Sequence, residues 1–201
     1  MMRFVLCVLS LFAFVAPVGA RDFVKKSATQ SVSLPEPDKA QLIFLRPSSL
    51  FGGMYTMLSE VTPDGDRFIS AIGGKDKVVY STAPGRKMFV SNDGMRVHFM
   101  DADLEAGRRY YVLVRPLYGN GYQLRPIRRD GVSDYSMDNP DFINWVRQSR
   151  RVEALGSEPP MPARALPQLA KARELGWASW LAKTPAEHAE LTLERADAVD
   201  R

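Results

Sequence analysis

The sequence predicts a mainly β protein, an antiparallel sandwich that carries a helical extension at its C-terminal end. Three observations predict this fold. Short apolar segments follow one another between residues 40 and 130, turn signals separate them at regular spacing, and no helical period interrupts them. After residue 131 the apolar residues recur at helical spacing instead. We therefore divide the chain into a sandwich domain, residues 40–130, and a helical extension, residues 131–201.

The first twenty residues have the pattern of an export signal. Arg3 supplies the positive charge, and residues 4–16 form an apolar core that is too short to span a bilayer. Small residues predict cleavage after Ala20, so we expect a periplasmic or secreted protein without an integral membrane span. Cys7 lies within the apolar core, whereas a lipid-acceptor cysteine follows such a core, so we do not expect lipid anchoring through it. Residues 21–39 are polar and predict a flexible leader.

Composition favours an ordinary soluble globular domain. Hydrophobic residues make up 45% of the chain, and charged residues make up 25% with both signs mixed. The net charge of +4 is not concentrated in one run, and no basic and aromatic module is visible, so we expect no nucleic-acid partner. Because Cys7 is the only cysteine, removal of the signal would leave no disulfide and no cysteine-ligated zinc.

Eight strands are predicted from apolar runs bounded by turn residues. We expect them at residues 41–46, 54–61, 67–72, 77–81, 86–91, 95–100, 109–115 and 122–127. Pro84 and Gly85 form the turn before the fifth strand, since proline presets φ and glycine accepts a positive φ. Gly-containing turns at 92–94 and 119–121 predict hairpins. Pro126 marks the last strand as an edge strand or its end.

The segment at 104–115 is the centre of the predicted domain. Leu104 and Gly107 lead into Tyr110, which opens an alternating strand, and this pattern is typical of a tyrosine corner. We expect the Tyr110 ring to point into the core with Val112 and Val114. Its hydroxyl group is expected to bond to the backbone a few residues upstream.

Helix signals follow in the extension. Asn139 and Pro140 predict the start of a first helix, which continues to basic residues at 147–151. A second helix is predicted at 166–181. Thr184, with glutamate three residues later, forms a capping box that opens a short third helix.

The extension is expected to cover part of the sandwich. Strand segments 42–45 and 111–114 are apolar on both faces, whereas a two-layer sandwich buries only one face of each sheet. The outward-facing side chains that need cover are Ile43, Leu45, Tyr111 and Leu113. The aromatic residues expected to provide it are Phe142, Trp145, Trp177 and Trp180. The alternative is that the tryptophans form a patch for a membrane surface or a partner.

Several ordered motifs carry a resemblance to a known family. They are the Ala-Gln-Leu-Ile-Phe-Leu-Arg-Pro run at 40–47, Phe-Gly-Gly at 51–53, Asp-Gly at 64–65, the turn at 84–85, and the segment at 104–111. In this order they resemble a bacterial family of exported domains of unknown function. The last motif is also similar to part of the PEGA and carboxypeptidase-regulatory-like sandwiches. The resemblance covers residues 40 to about 129 and implies an immunoglobulin-like or transthyretin-like sandwich, often exported or lipid-anchored, with no known activity.

No catalytic residue is assigned. His98 with Asp101 or Asp103 is the arrangement closest to a Ser-His-Asp site, but the chain has no Gly-x-Ser-x-Gly motif. His98 is expected on the polar face of its strand, in contact with water. His188 is expected on the surface of the third helix.

We assign no metal or cofactor, and leave one group of ligand-binding candidates. The aspartates at 64–66 and 101–103 lack the spacing of a calcium loop, and turn chemistry accounts for the first pair. Arg125, Arg128 and Arg129 are candidates for holding an anionic glycan or lipid headgroup, and His98 is a further candidate.

Function is predicted only at the level of class. An export signal, a sandwich and the lack of a catalytic motif favour a non-enzymatic envelope protein, an interaction or structural module whose partner is another envelope protein or an envelope polymer. Two alternatives stay open. One is an envelope hydrolase or glycan-modifying enzyme with a concave site. The other is a peripheral membrane protein held by Cys7 or by the tryptophan-bearing extension.

Overall fold

The computed structural model describes residues 23–49, 54–159 and 163–199. The predicted export signal with Cys7 and the Phe-Gly-Gly motif at 51–53 lie outside the described residues. In chain order the strands are β1 (Val24–Lys26), β2 (Ala40–Arg46), β3 (Thr56–Thr62), β4 (Gly65–Ile72), β5 (Asp76–Thr82), β6 (Gly85–Asn92), β7 (Val97–Leu104), β8 (Arg109–Pro116), β9 (Tyr122–Pro126), β10 (Arg150–Ala154) and β11 (Thr192–Leu193). The helices are α1 (Pro140–Gln148), α2 (Leu166–Leu181) and α3 (Pro185–Glu190), with single 3-10 turns at Ala163–Ala165 and Arg195–Asp197.

The prediction of a mainly β protein is confirmed. The described strands form sheet I, with the order β1-β10-β5-β2-β8-β9, and sheet II, with the order β11-β7-β6-β3-β4. The two sheets bury one apolar core between them. Its largest members include Leu42, Phe44, Leu58, Phe89, Met100 and Tyr110.

The predicted antiparallel pairing is found in most strand pairs but not in all of them, because both sheets are mixed. In the middle of sheet I, β2 and β8 run parallel, with Leu42 opposite Tyr110. At other positions β10 runs parallel to β5, and β11 runs parallel to β7. Parallel neighbours require a long crossover connection. The chain between β2 and β8 provides it by forming most of sheet II before it returns.

Three short strands form where no strand was predicted. Part of the segment expected to be a flexible leader is β1, which pairs antiparallel with β10 so that Lys25 lies opposite Glu153. Arg150 and Arg151 belong to β10 and pair with the start of β5, so they do not extend the first helix as predicted. The third strand, β11, has two residues. Segments this short carry no periodic signal and form only because a longer strand offers them a free edge.

Tyr110 lies at the start of β8 and is fully buried in the core between the sheets. Its hydroxyl oxygen accepts a hydrogen bond from the backbone nitrogen of Glu105 at 2.9 Å, and burial raises the pKa of the phenol. Leu104, also buried, is the last residue of β7. Between them Gly107 adopts a φ of 70°, and its N–H donates to the carbonyl oxygen of Lys39 just before β2. This turn therefore fixes the central strands β2 and β8 beside each other.

Pro84 and Gly85 carry the chain from β5 in sheet I to β6 in sheet II. Gly85 has a φ of 104°, a conformation that residues with a Cβ rarely adopt. No atom lies within 4 Å of the position that a Cβ would occupy here. Glycine is therefore required at this position for its backbone conformation, and not because a side chain would clash with a neighbour.

A buried arginine closes one end of the core. Arg46, the last residue of β2, has no exposed surface. Its guanidinium group donates to the carbonyl oxygens of Met54 at 2.6 Å and Ile72 at 3.0 Å, and to the Tyr122 hydroxyl at 2.8 Å. Burial lowers the pKa of Arg46, and the Tyr122 ring 4.1 Å from its central carbon partly offsets the cost of desolvation.

The helix starts agree with the sequence prediction. The Asn139 side chain accepts from the backbone nitrogen of Asp141, and Pro140 is the first residue of α1. At α3 the Thr184 and Glu187 side chains form the predicted capping box. These local signals are confirmed because each cap side chain bonds to the first turn of its own helix, a few residues away in the sequence.

The first helix covers the outer face of sheet I. Ile43, Leu45 and Leu113 point away from the shared core and are buried beneath the half-buried rings of Phe142 and Trp145. The Lys77 ammonium group donates to the carbonyl oxygen of Val146 at 3.1 Å, near the end of α1. A cation at this end suits the helix dipole.

The second helix covers the other sheet, which corrects the prediction that all four aromatic residues lie over the same two strands. Trp180 packs with Val90, Val97 and Phe99 on the outer face of sheet II. Trp177 lies against the same Phe99 ring, with 5.3 Å between ring centroids. The described chain thus has four layers, α1, sheet I, sheet II and α2.

Gly176 allows α2 to approach sheet II closely. A Cβ at this position would lie 2.5 Å from the carbonyl oxygen of Val97 and 2.9 Å from the Val97 Cβ. Glycine costs a helix about 1 kcal/mol relative to alanine. The close packing of α2 against β7 offsets that cost, and a larger residue at position 176 would prevent this packing.

Candidate functional site

The structure does not bring together the histidine and the aspartates that were closest to a catalytic arrangement. Successive side chains of β7 point to opposite faces, so His98 lies on the core side while Asp101 and Asp103 lie on the outer side. His98 is half-buried rather than solvated on a polar face. Its Nε2 donates to the carbonyl oxygen of Asn120 at 2.6 Å, and burial lowers its pKa.

The three candidate arginines bind the C-terminal segment of their own chain. Arg128 donates to Asp197 at 2.7 Å and to two backbone carbonyl oxygens of the segment 189–198. Arg125 pairs with a glutamate of α3 at 2.8 Å, and Arg129 donates to a carbonyl oxygen near the chain end at 2.8 Å. These bonds form an intramolecular clamp between the end of β9 and the C-terminal segment.

A broad concave surface lies on the outer face of sheet II, beside α2, and we call it the outer groove. Its floor is a row of side chains in register across four neighbouring strands: Val61, Met88, Asp101 and Thr192. Neighbouring strands lie about 4.8 Å apart, so this row spans roughly 14 Å. Two adjoining hollows of about 440 and 490 Å³ share Val61 and Met88.

One end of the outer groove is apolar and is bordered by α2. Trp177 is 40% exposed there, beside the partly buried side chains of Val61 and Met88. Arg173 lies at the rim, where its guanidinium group pairs with Asp66 at 2.8 Å. Burial raises the pKa of Asp66, and the arginine opposes that rise. The charge of Arg173 is therefore already paired, and this end offers mainly apolar surface.

The other end is charged. Arg67, Arg86 and Lys87 line it together with Asp101. Burial raises the pKa of Asp101, and the nearby charges of His188 and Arg86 oppose that rise. Farther along, Asp103 pairs with Arg195 at 3.0 Å. The hollow next to Arg86 and Lys87 is also lined by Asp103 and Glu194, so cations and carboxylates lie together at this end of the groove.

A buried glutamate lies beneath the charged end. Glu60 is 2% exposed, and its carboxylate accepts hydrogen bonds from Tyr80 at 2.6 Å, Thr82 at 3.0 Å and Lys87 at 2.9 Å. Burial by itself raises the pKa of Glu60, but the bonds from Tyr80 and Lys87 outweigh it and hold the pKa below its usual value. The carboxylate is thus ionised at neutral pH and fixes the Lys87 side chain beside the charged end of the groove.

The groove residues were missed because no motif marks them. One signal was available in the sequence, the carboxylate of Glu60 within an alternating strand. A carboxylate at such a position is buried only where polar groups pair with it. The partners come from β5 and β6, so that signal does not identify them.

No family model, curated protein or solved structure matches this chain. Within the described residues, no group of three or more histidine, cysteine, aspartate or glutamate side chains is arranged to hold a metal ion. None of the helices in the described ranges is long and apolar enough to cross a membrane.

Proposed function

We propose that this chain is an exported, non-enzymatic interaction module of the bacterial cell envelope and that its partner binds in the outer groove. The observation that carries the proposal is the incomplete cover of sheet II. The groove combines an exposed aromatic ring, Trp177, with the cations at 67, 86 and 87 on a floor of regular strands. A concave surface with an apolar centre and a few oriented polar groups is what binding sites share. Export is inferred from residues 1–20 of the sequence.

We propose further that the core is an immunoglobulin-like or transthyretin-like sandwich, as the resemblance of residues 40–129 implies. Two features support this. Two sheets pack over one core, and the buried Tyr110 hydroxyl bonds to the backbone of the preceding turn. In such domains binding surfaces are added to a rigid scaffold. Here α2 would supply one wall of the outer groove.

Photo-crosslinking in living cells tests the interaction module. A photoreactive phenylalanine analogue is introduced at Glu174, which lines the groove, and in a separate variant at Gln148, which is exposed on α1 over the other sheet. We expect position 174 to give a discrete crosslinked product in the envelope fraction and position 148 to give none. Equal products at both positions, or none from a correctly exported position-174 variant, would overturn the proposal. Sequencing of the mature N-terminus tests cleavage after Ala20.

An envelope hydrolase or glycan-modifying enzyme is the second candidate, and one observation favours it. Asp101 lies in a concave site, burial raises its pKa, and His188 is close enough to oppose that rise. A carboxyl group of this kind can serve as a general acid. The test is turnover of purified envelope glycan by the full chain. Activity that is lost in Asp101→Asn and kept in Asp134→Asn, an exposed turn residue, would replace the interaction module with the enzyme.

A further inference from the structure

We infer that the outer groove binds a neutral saccharide chain, with one sugar ring against Trp177 and with hydroxyl groups bonded to Arg86 and Asp101. This inference rests on the proposed function, since it names the class of partner that the same groove takes. It follows from the balance of charge in the groove, from two free polar side chains, from the exposed indole and from the pairing of the floor strands.

The charges at the polar end of the groove balance. The hollow that holds Arg86 and Asp101 continues into a third one of about 240 Å³, which Thr192 and Glu194 also line. If the arginine that pairs with Asp103 is counted, these two hollows have four cations and four carboxylates: Arg67, Arg86, Lys87 and Arg195, and Glu60, Asp101, Asp103 and Glu194. An anion would meet the carboxylates and a cation would meet the arginines, so this end favours an uncharged ligand.

Arg86 and Asp101 offer a hydrogen-bond donor and an acceptor from neighbouring strands. Both line the same hollows, and Arg86 is exposed whereas Asp101 is half-buried. Neither side chain makes a hydrogen bond or an ion pair with another part of the described chain. A saccharide hydroxyl group both donates and accepts, so it can accept from Arg86 while it donates to Asp101. Hydrogen bonds to charged groups are the stronger ones.

The apolar end supplies a surface for a sugar ring. Trp177 is 40% exposed, and an edge-to-face contact with Phe99 holds its indole, with 5.3 Å between ring centroids. A pyranose ring has a face of C–H groups that can pack against the electron-rich face of an indole. Val61 and Met88 extend this surface, and Met88 lies directly opposite Asp101 in the sheet. A saccharide of more than one ring can therefore contact the indole and the polar side chains together.

The pairing of the floor strands disfavours an extended peptide. In sheet II, β7, β6 and β3 each have a paired strand on both sides. A peptide that adds to a sheet needs an unpaired strand edge for its main-chain hydrogen bonds. These three strands offer only side chains to a ligand in the groove, which suits a saccharide better than a peptide strand.

Titration of the full exported chain with trisaccharides, monitored by NMR of the indole N–H signals, tests the inference. The neutral probes are tri-N-acetylglucosamine, cellotriose and maltotriose, and the charged probes are triglucosamine and trigalacturonic acid. We expect a neutral probe at millimolar concentration to shift the Trp177 signal and to leave that of Trp145, on α1 over the other sheet, unchanged. Tighter binding of a charged probe, or no shift of the Trp177 signal with any neutral probe, would overturn the inference.

Variants then locate the bound trisaccharide. Arg86→Ala and Asp101→Ala should each weaken its binding by about tenfold or more, as expected for loss of a hydrogen bond to a charged group. Trp177→Ala should weaken it similarly, because the sugar ring loses its apolar surface. The matched controls are Arg147→Ala, at an exposed arginine of α1, and Leu175→Ala, at an exposed leucine of α2, and both should leave the affinity unchanged. Equal affinities of all five variants would overturn the inference.

Two other occupants give distinct results. Trp177-dependent binding to phosphatidylglycerol vesicles would identify a membrane surface, and dimerisation that Trp177→Ala abolishes would identify a second copy of this chain. Either outcome would overturn the saccharide inference.

The same measurements separate this inference from the proposed function. Crosslinks at position 174 without saccharide binding would leave the interaction module standing and remove only the inference. Saccharide binding in solution without crosslinks in cells would support the groove chemistry and count against the proposed cellular function. Cleavage of the bound trisaccharide would support the inference and replace the interaction module with the enzyme.

Discussion

The outer faces of the two sheets differ in how completely the C-terminal helices cover them. On sheet I the outward residues Ile43 and Leu45 are almost completely buried beneath α1 and its neighbouring loops. On sheet II α2 covers Val97 and Phe99, but Met88 stays only partly buried and Trp177 is 40% exposed. One face is therefore closed, whereas the other is half open.

The difference follows from the side chains along the strands. The outward positions of β2 remain apolar along the covered length, so a cover gains free energy over all of it. Along β7 the outward positions change from Val97 and Phe99 to Asp101 and Asp103. A helix gains nothing by covering charged residues, since it would have to desolvate them. The open half of sheet II thus lies where the apolar pattern ends, and this half forms the groove.

The largest effect should come from removing the covered tryptophan of α2. Trp180 is 4% exposed, and Trp180→Ala should lower the free energy of unfolding by about 3–5 kcal/mol because it leaves a cavity over β7. Urea unfolding monitored by circular dichroism measures this. Leu181→Ala, at a neighbouring residue that is 63% exposed, is the control and should cost much less. Equal losses would mean that α2 does not cover sheet II as described.

The buried glutamate beneath the open half should make stability depend on pH. The folded-state pKa of Glu60 is lowered, so its contribution is present above the unfolded value of about 4.3 and is lost as pH falls through the folded pKa. Glu60→Gln should cost about 1–3 kcal/mol at pH 7 because the bonds to a charged carboxylate are weakened. Urea unfolding from pH 7 to 3 should show a smaller loss for the variant than for the native chain. Parallel curves would contradict the ionised assignment.

The contact of α2 with β7 should depend on the absence of a side chain at Gly176. Gly176→Ala should destabilise the protein by about 1–2 kcal/mol, because the added Cβ overlaps Val97 and this outweighs the helix propensity that it gains. Thermal unfolding measures the change. Ala178→Gly, at an exposed position of the same helix, is the reverse control and should cost about 1 kcal/mol from propensity alone. Stabilisation by Gly176→Ala would show that α2 lies farther from the sheet.

The smallest effect on stability should come from the exposed tryptophan at the groove. Trp177→Ala should lower the free energy of unfolding by less than about 1 kcal/mol, because the ring is only partly buried. The same variant should reduce the crosslinked product obtained at position 174, whereas Trp180→Ala acts mainly on folding. A stability loss for Trp177→Ala as large as that for Trp180→Ala would mean that the groove is closed in solution.

The sequence by itself determined the features that depend on local interactions. The eight main strands lie within a few residues of their predicted positions, and the caps at Asn139 and Thr184 form as expected. Alternation, turn residues and capping side chains act over a few neighbouring residues, so the chain carries these signals wherever it folds. The double-sided apolar pattern of β2 also indicated that a cover was needed.

Only the tertiary structure decided the direction of pairing and the place of each helix. Alternation is the same in parallel and antiparallel strands, so nothing in β2 or β8 indicated that they run parallel. Trp177 and Trp180 are apolar residues that can cover either sheet, and the close fit of Gly176 to Val97 places them on sheet II. The arginine clamp and the groove likewise join residues far apart in the chain. Their positions depend on long-range packing, which no single segment of the sequence contains.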